Sequence, residues 1–196
     1  PLILYFHGNG GVLADRRARF QLFTASGYGL LAVSYRGFGG STGEPTQDGI
    51  LLDAETAYAE ARRLGFTSKR LVIVGESLGT GVATIMASRH AAAALVLDAP
   101  YLSAVDLAEE RYPIFPVSFL MLDPFRSDLA IGAVHMPVLM LHGENDPIVP
   151  IESGKRLFEL AHAPKEFIAV PGAQHLVLNL PQVYPRVAAF IDANTK

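Results

Sequence analysis

Six short apolar runs, at residues 2–6, 30–34, 71–74, 95–98, 138–141 and 166–170, recur along the chain with longer stretches between them. The intervening stretches, at about 12–26, 48–64, 78–90, 151–162 and 182–193, carry helical patterns. A strand that is apolar nearly throughout, rather than at every second residue, is covered on both faces, and strands separated by helices pair in parallel. Gly65, Pro100, Pro137, Pro164 and Pro181 fall at the joints, where they stop one element before the next begins. The pattern predicts an α/β fold, an open and mostly parallel sheet with helices on both faces.

At 196 residues this is a single domain, 1–196, large enough to bury most of its unfolded surface. One segment, residues 101–136, lies outside the alternation. Its centre, 112–122, is apolar and broken by Pro113 and Pro116, and reads either as an ordinary crossover with an apolar buttress or as a small cap walling a hydrophobic pocket. A net charge of −3 gives no basic field, so nucleic acid is not expected as a partner. With no cysteine there is neither a disulfide framework nor a thiolate nucleophile. No apolar run reaches the roughly 18 residues that span a bilayer. The chain opens at Pro1, directly in a strand-like run, and the expectation is that a further segment precedes it. Localisation, oligomeric state and any membrane anchoring through such a segment stay open.

The chemistry gathers around Gly75-Glu76-Ser77-Leu78-Gly79, which follows the buried-type run Leu71-Val72-Ile73-Val74 and opens a helical stretch. A serine between glycines at a strand-to-helix turn sits in a tight bend that exposes its Oγ, a nucleophile elbow. The helix starting at Leu78 directs free N–H groups and the positive end of its dipole to the same place. A serine hydroxyl needs a base, and the base needs an acid to orient it. On an open α/β sheet these follow in the order Ser, Asp or Glu, His. Asp146, in the loop after the fifth run, and His175, after the sixth, stand in that order.

Two acids rival Asp146: Glu144, two residues away, and Asp98, which ends the fourth run and otherwise caps the turn at Pro100. Glu76 adjoins Ser77 and is expected to brace neighbouring loops rather than act as the base. For the oxyanion, one N–H is assigned to Leu78 and the second to Asn9, in the glycine-rich turn His7-Gly8-Asn9-Gly10-Gly11. That turn lacks the Lys-Ser/Thr of a phosphate-binding loop. His7 and His142 are expected to brace loops, and His90, His135 and His162 to be solvated near helix ends. No histidine pair has metal-ligand spacing with a carboxylate nearby, so neither a metal nor another cofactor is expected.

Together these residues resemble the α/β-hydrolase superfamily over almost the whole chain. The stretch from Ser34-Tyr35-Arg36-Gly37-Phe38-Gly39-Gly40 to Pro45, and His142-Gly143-Glu144-Asn145-Asp146 with Ile148-Val149-Pro150, are similar to a lid-poor branch containing bacterial carboxylesterases and eukaryotic protein depalmitoylases. The resemblance implies hydrolysis of a small-molecule ester or thioester through an acyl-enzyme, with Ser77, Asp146 and His175 at the triad positions. It also implies a sheet opened by two further strands that are not recognisable here, and an N-terminal hydrophobic anchor in many members. An esterase of short to medium acyl chains is the first expectation. A thioesterase or depalmitoylase, a peptidase or amidase, and a non-catalytic binding scaffold of the same fold are the alternatives.

Overall fold

A computed structural model of the protein describes residues 1–112, 114, 121–162 and 164–195. Its centre is a sheet of six parallel strands in the order β2-β1-β3-β4-β5-β6. The strands are β1 (Leu2–Phe6), β2 (Gly29–Val33), β3 (Leu71–Glu76), β4 (Ala94–Asp98), β5 (Val138–Gly143) and β6 (Lys165–Val170). The helices are α1 (Arg17–Ala25), α2 (Gln47–Arg63), α3 (Leu78–Arg89), α4 (Ala104–Arg111), α5 (Ser127–Ala130), α6 (Ile151–Leu160) and α7 (Tyr184–Asn194). The sequence expectation of a sheet covered on both faces holds, with boundaries shifted by a few residues at most. The first helical stretch begins as a 3₁₀ turn over Leu13–Arg16 before α1.

The pleat sorts the apolar runs into two cores, because successive side chains point to opposite faces. Leu2, Leu4, Phe6, Leu71, Ile73, Leu95, Leu97 and Met140 pack on one face with Ile50 and Ala54 of α2, Val82 and Met86 of α3 and Leu157 of α6. Ile3, Tyr5, Val72, Val74, Val96, Leu139 and Leu141 face the other way, against Phe23 of α1 and Val187 and Ile191 of α7. Strands β1, β3, β4 and β5 are buried throughout, which is why they read as continuous rather than alternating runs.

The edge strand β2 differs. Each of its residues is only half-buried, and β1 is its one partner among the described residues. Segment 101–136 contributes α4 and α5. Ser103 caps α4 by accepting from the Asp106 N–H at 2.9 Å. Tyr101 and Phe125 reach α3, where a Cβ on Gly81 would lie 2.3 Å from the Tyr101 hydroxyl. Within the apolar centre of this segment, residues 113 and 115–120, Phe115 and Phe119 among them, lie outside the described residues, while Tyr112, Ile114 and Leu122 are exposed.

Candidate active site

The register of β3 and β4 sets the site. Glu76 stands opposite Asp98 at the C-terminal ends of adjacent strands, and the chain turns into α3 one residue after Glu76. At that turn Ser77 has φ 48° and ψ −121°, a backbone region that non-glycine residues rarely occupy. Its N–H donates to the Asp98 carbonyl at 2.9 Å, and its own carbonyl accepts from Thr80 N–H at 2.8 Å. The two flanking glycines allow this bend. A Cβ on Gly75 would lie 2.4 Å from the Gly79 carbonyl oxygen, and one on Gly79 would lie 2.1 Å from that of Phe6. Nothing larger fits where α3 crosses β1 and β3.

Asp146 and His175 come from the loops after β5 and β6. His175 Nδ1 lies 2.7 Å from Asp146 Oδ2, which leaves Nε2 as the free ring nitrogen. The other carboxylate oxygen, Oδ1, accepts from the Ile148 N–H at 2.8 Å and the Val149 N–H at 3.0 Å. Burial opposes the charge on Asp146. Hydrogen bonding to His142 and His175, with the two amides, outweighs it and holds the carboxyl well below the usual carboxylate range. Ser77 and His175 line one cleft of about 320 Å³, with Gly8, Asn9 and Ile148.

The glycine-rich turn after β1 lies against the elbow. A Cβ on Gly8 would be 3.2 Å from the Ser77 Cβ, and Gly8 N–H donates to Glu76 Oε1 at 2.9 Å. Asn9 lines the cleft and Leu78 opens α3. Among the described residues nothing accepts from the N–H of either one, so both donors are free for an incoming oxygen.

Beneath the cleft the structure holds an ion cluster that sequence reasoning missed. Glu76 and Asp98 face the same side of the sheet as Val72, Val74 and Val96, and two adjacent buried carboxylates would repel each other. Arg19 of α1 separates them: Nη1 lies 2.8 Å from Glu76 Oε2 and Nη2 2.9 Å from Asp98 Oδ2. Arg16 adds Nε to Glu76 Oε1 at 2.8 Å, and the Tyr5 hydroxyl donates to Oε2. The two acids then diverge. Burial works against the Glu76 charge, but Arg19, Tyr5, Gly8 and Arg16 hold its pKa below the ordinary value. For Asp98 burial wins over Arg19 and pushes the pKa up.

Asp98 does not cap the turn at Pro100, as its sequence position suggested. Its oxygens accept from the N–H groups of Val177 at 3.0 Å and Leu178 at 3.1 Å, in the loop that carries His175. Glu76 braces the turn at Gly8, as expected for a residue pointing away from Ser77. Glu144 is exposed, and the carboxylate bonded to His175 is that of Asp146. The overlooked signal was Arg19 itself, four residues from Phe23 and therefore on the apolar face of its helix.

The remaining histidines divide. His7 Nδ1 donates to the Gly8 carbonyl at 2.7 Å, with its ring against Tyr35. His142 is fully buried: Nε2 lies 2.9 Å from the Val149 carbonyl and 3.4 Å from Asp146 Oδ2. Its Nδ1 faces Gly154, where a Cβ would come within 2.5 Å. His142 thus props the acid loop from behind. His90 is not simply solvated, because it pairs with Glu55 at 2.5 Å and stacks on Tyr58. His135 and His162 stack on each other with centroids 6.2 Å apart.

A parallel sheet with a strained serine elbow, a His–Asp pair and free N–H donors at its C-terminal edge defines the α/β-hydrolase architecture. A family model described as alpha/beta hydrolase fold matches residues 1–131, and the chain belongs to that family. An uncharacterized protein of Mycobacterium tuberculosis is 37% identical over 179 residues, which cover 89% of this chain and 63% of that protein. The lysophosphatidylserine lipase ABHD12 of Danio rerio is 35% identical over 182 residues, covering 82% of this chain and 47% of that one. The chain thus spans about half to two thirds of the length of these relatives. Among solved structures, the Pyrococcus furiosus esterase Pf2001 superposes with a TM-score of 0.78 at 22% identity, covering 100% of this chain and 82% of the esterase.

Proposed function

We propose that the protein is a serine hydrolase of carboxylic esters with short to medium acyl chains. The observation that carries this reading is the 2.7 Å contact of His175 Nδ1 with the buried Asp146 Oδ2, with His175 and Ser77 lining one cleft. Ser77 Oγ attacks the ester carbonyl carbon while His175 Nε2 takes its proton. The carbonyl oxygen, now an oxyanion, accepts from the N–H groups of Asn9 and Leu78. Collapse breaks the bond to the alcohol, which leaves with the proton from His175. Water, deprotonated by the same imidazole, then releases the acid and restores Ser77. Asp146 keeps the imidazole in the tautomer that can accept at Nε2, and His142 and Gly154 hold Asp146 in place.

In this reading residues 101–136 form a small cap on the acyl side that limits chain length. Each methylene that it buries adds about 0.8 kcal/mol to binding until the pocket is full. The experiment is labelling by a fluorophosphonate, followed by an acyl-chain-length series of p-nitrophenyl esters. Labelling at Ser77 with an optimum at short to medium chains is expected. An optimum at long chains would instead favour a palmitoyl thioester or a lipid ester, the second being the direction in which the name of the Danio rerio relative points. Absence of labelling would favour the non-catalytic scaffold.

A further inference from the structure

A second pocket, about 450 Å³, adjoins the cleft and shares Gly10, Arg16, Glu76 and Leu176 with it as walls. Gly11, Asp15 and Asn179 are walls of this pocket alone. We infer that this pocket holds the leaving alcohol of the ester and selects a neutral alcohol bearing free hydroxyls beyond the ester oxygen. The inference rests on the esterase reading above.

Position gives the first argument. The departing oxygen takes its proton from His175, so the alcohol must extend from the His175 side of the cleft. Leu176, the next residue, is a wall common to both pockets. A volume of 450 Å³ lies within the range of small-molecule sites and exceeds what a three-carbon polyol needs.

Charge gives the second. Arg16 and Arg19 line the pocket, yet neither offers a free cation. Arg16 spends Nε and Nη2 on Glu76 Oε1 and Nη1 on the Val12 carbonyl. Arg19 spends Nη1 on Glu76 and Nη2 on Asp98. Within the walls Asp15 and Glu76 balance Arg16 and Arg19, so the pocket offers an anionic head group no net positive charge.

Hydrogen-bonding capacity gives the third. Asn179 is exposed, and its Oδ1 accepts from Arg19 Nη2 at 3.3 Å, so its NH₂ group remains free to donate. Asp15 uses Oδ2 on the Val12 N–H at 2.8 Å, which leaves Oδ1 free to accept. Among the described residues nothing accepts from the N–H groups of Gly10 and Gly11. Donors and acceptors on one rim suit hydroxyl groups, which need both. An alkyl alcohol would leave them unmatched.

The test compares glyceryl monobutyrate, n-propyl butyrate and the butyrate ester of glycerol 3-phosphate. For the wild-type protein kcat/KM is expected to be about tenfold higher for the glyceryl than for the propyl ester, the scale of one hydrogen bond to the alcohol. The phosphate ester should fall below the glyceryl ester. Asn179→Leu should collapse the glyceryl-to-propyl ratio toward one. Equal rates for the glyceryl and propyl esters, or a ratio untouched by Asn179→Leu, would overturn the assignment. A phosphate ester that outpaced both would overturn its neutral character. A binding experiment keeps the subsite separate from the chemistry: Ser77→Ala protein titrated with 1-O-butylglycerol and followed by ¹⁵N–¹H spectra. Shifts at Gly10, Gly11 and the Asn179 side chain are expected whether or not the wild type proves to be an esterase. Shifts confined to other residues, or none, would remove the subsite. Fluorophosphonate labelling of the wild type judges the esterase reading independently.

Discussion

At the scale of single residues, strain and charge are concentrated where the chemistry is proposed. Ser77 holds an unfavourable φ because the strand, the helix and two glycines leave it no other course. Ser77→Ala keeps that backbone and removes only the oxygen. It is expected to lower ester hydrolysis by roughly 10⁴-fold or more with little change in melting temperature. An alanine variant still labelled by a fluorophosphonate would place the nucleophile elsewhere. Asp146→Asn should leave His175 in the wrong tautomer and cost up to about 10⁴ in kcat. It should also change how stability depends on pH. The folded Asp146 carboxyl titrates below the unfolded value of about 3.9, so its stabilisation is full above about pH 4 and is lost as the pH falls through the folded pKa. The stability gap between wild type and Asp146→Asn, read by urea unfolding, should therefore be widest near neutrality and narrow below about pH 4. A gap independent of pH down to 3 would contradict the depressed carboxyl.

At the scale of elements, α1 ties together three loops that are far apart in sequence. Arg19 joins Glu76, which holds the Gly8 turn, to Asp98, which holds the loop of His175. These groups are nearly solvent-free, but Asp98→Asn leaves Arg19 paired with Glu76, and burial already disfavours the Asp98 charge. Its cost in stability should therefore be modest, and it should lower kcat by loosening the Val177–Leu178 amides rather than by disturbing the tautomer of His175. Asp146→Asn removes a charge that its partners favour, and should bring a severe loss of activity together with the larger loss of stability. Denaturant melts and kinetics on the two variants side by side separate them. If Asp98→Asn were the more damaging to kcat in fully folded protein, the proposed acid would have to be reassigned.

For the molecule as a whole, the sheet does two things. It gathers Asn9, Ser77, Asp146 and His175 from four loops along one edge of parallel strands, and it leaves β2 at its open side. That strand is wholly apolar, half-exposed and paired on one side only among the described residues, a template for edge-to-edge pairing. This chain is expected to associate as its concentration rises, which sedimentation velocity would detect. A single monomeric species over a hundredfold range of concentration would dispose of the idea.

The sequence determined the six strands and their parallel order of burial, because a strand covered on both faces must be apolar at every position. It determined the serine elbow too, since Gly75 and Gly79 are legible as the only residue type that such a bend admits. It placed Asp146 and His175 in loops at strand ends, where local pattern and chain order coincide. Tertiary structure alone decided which acid faces His175, because Asp98, Glu144 and Asp146 all end or follow strands and differ only in where their loops fold. It also decided what Asp98 and Arg19 do. A buried charge is readable only when its partners are known, and those of Arg19 lie 57 and 79 positions along the chain, brought together by the register of β3 with β4 and the docking of α1 beneath them.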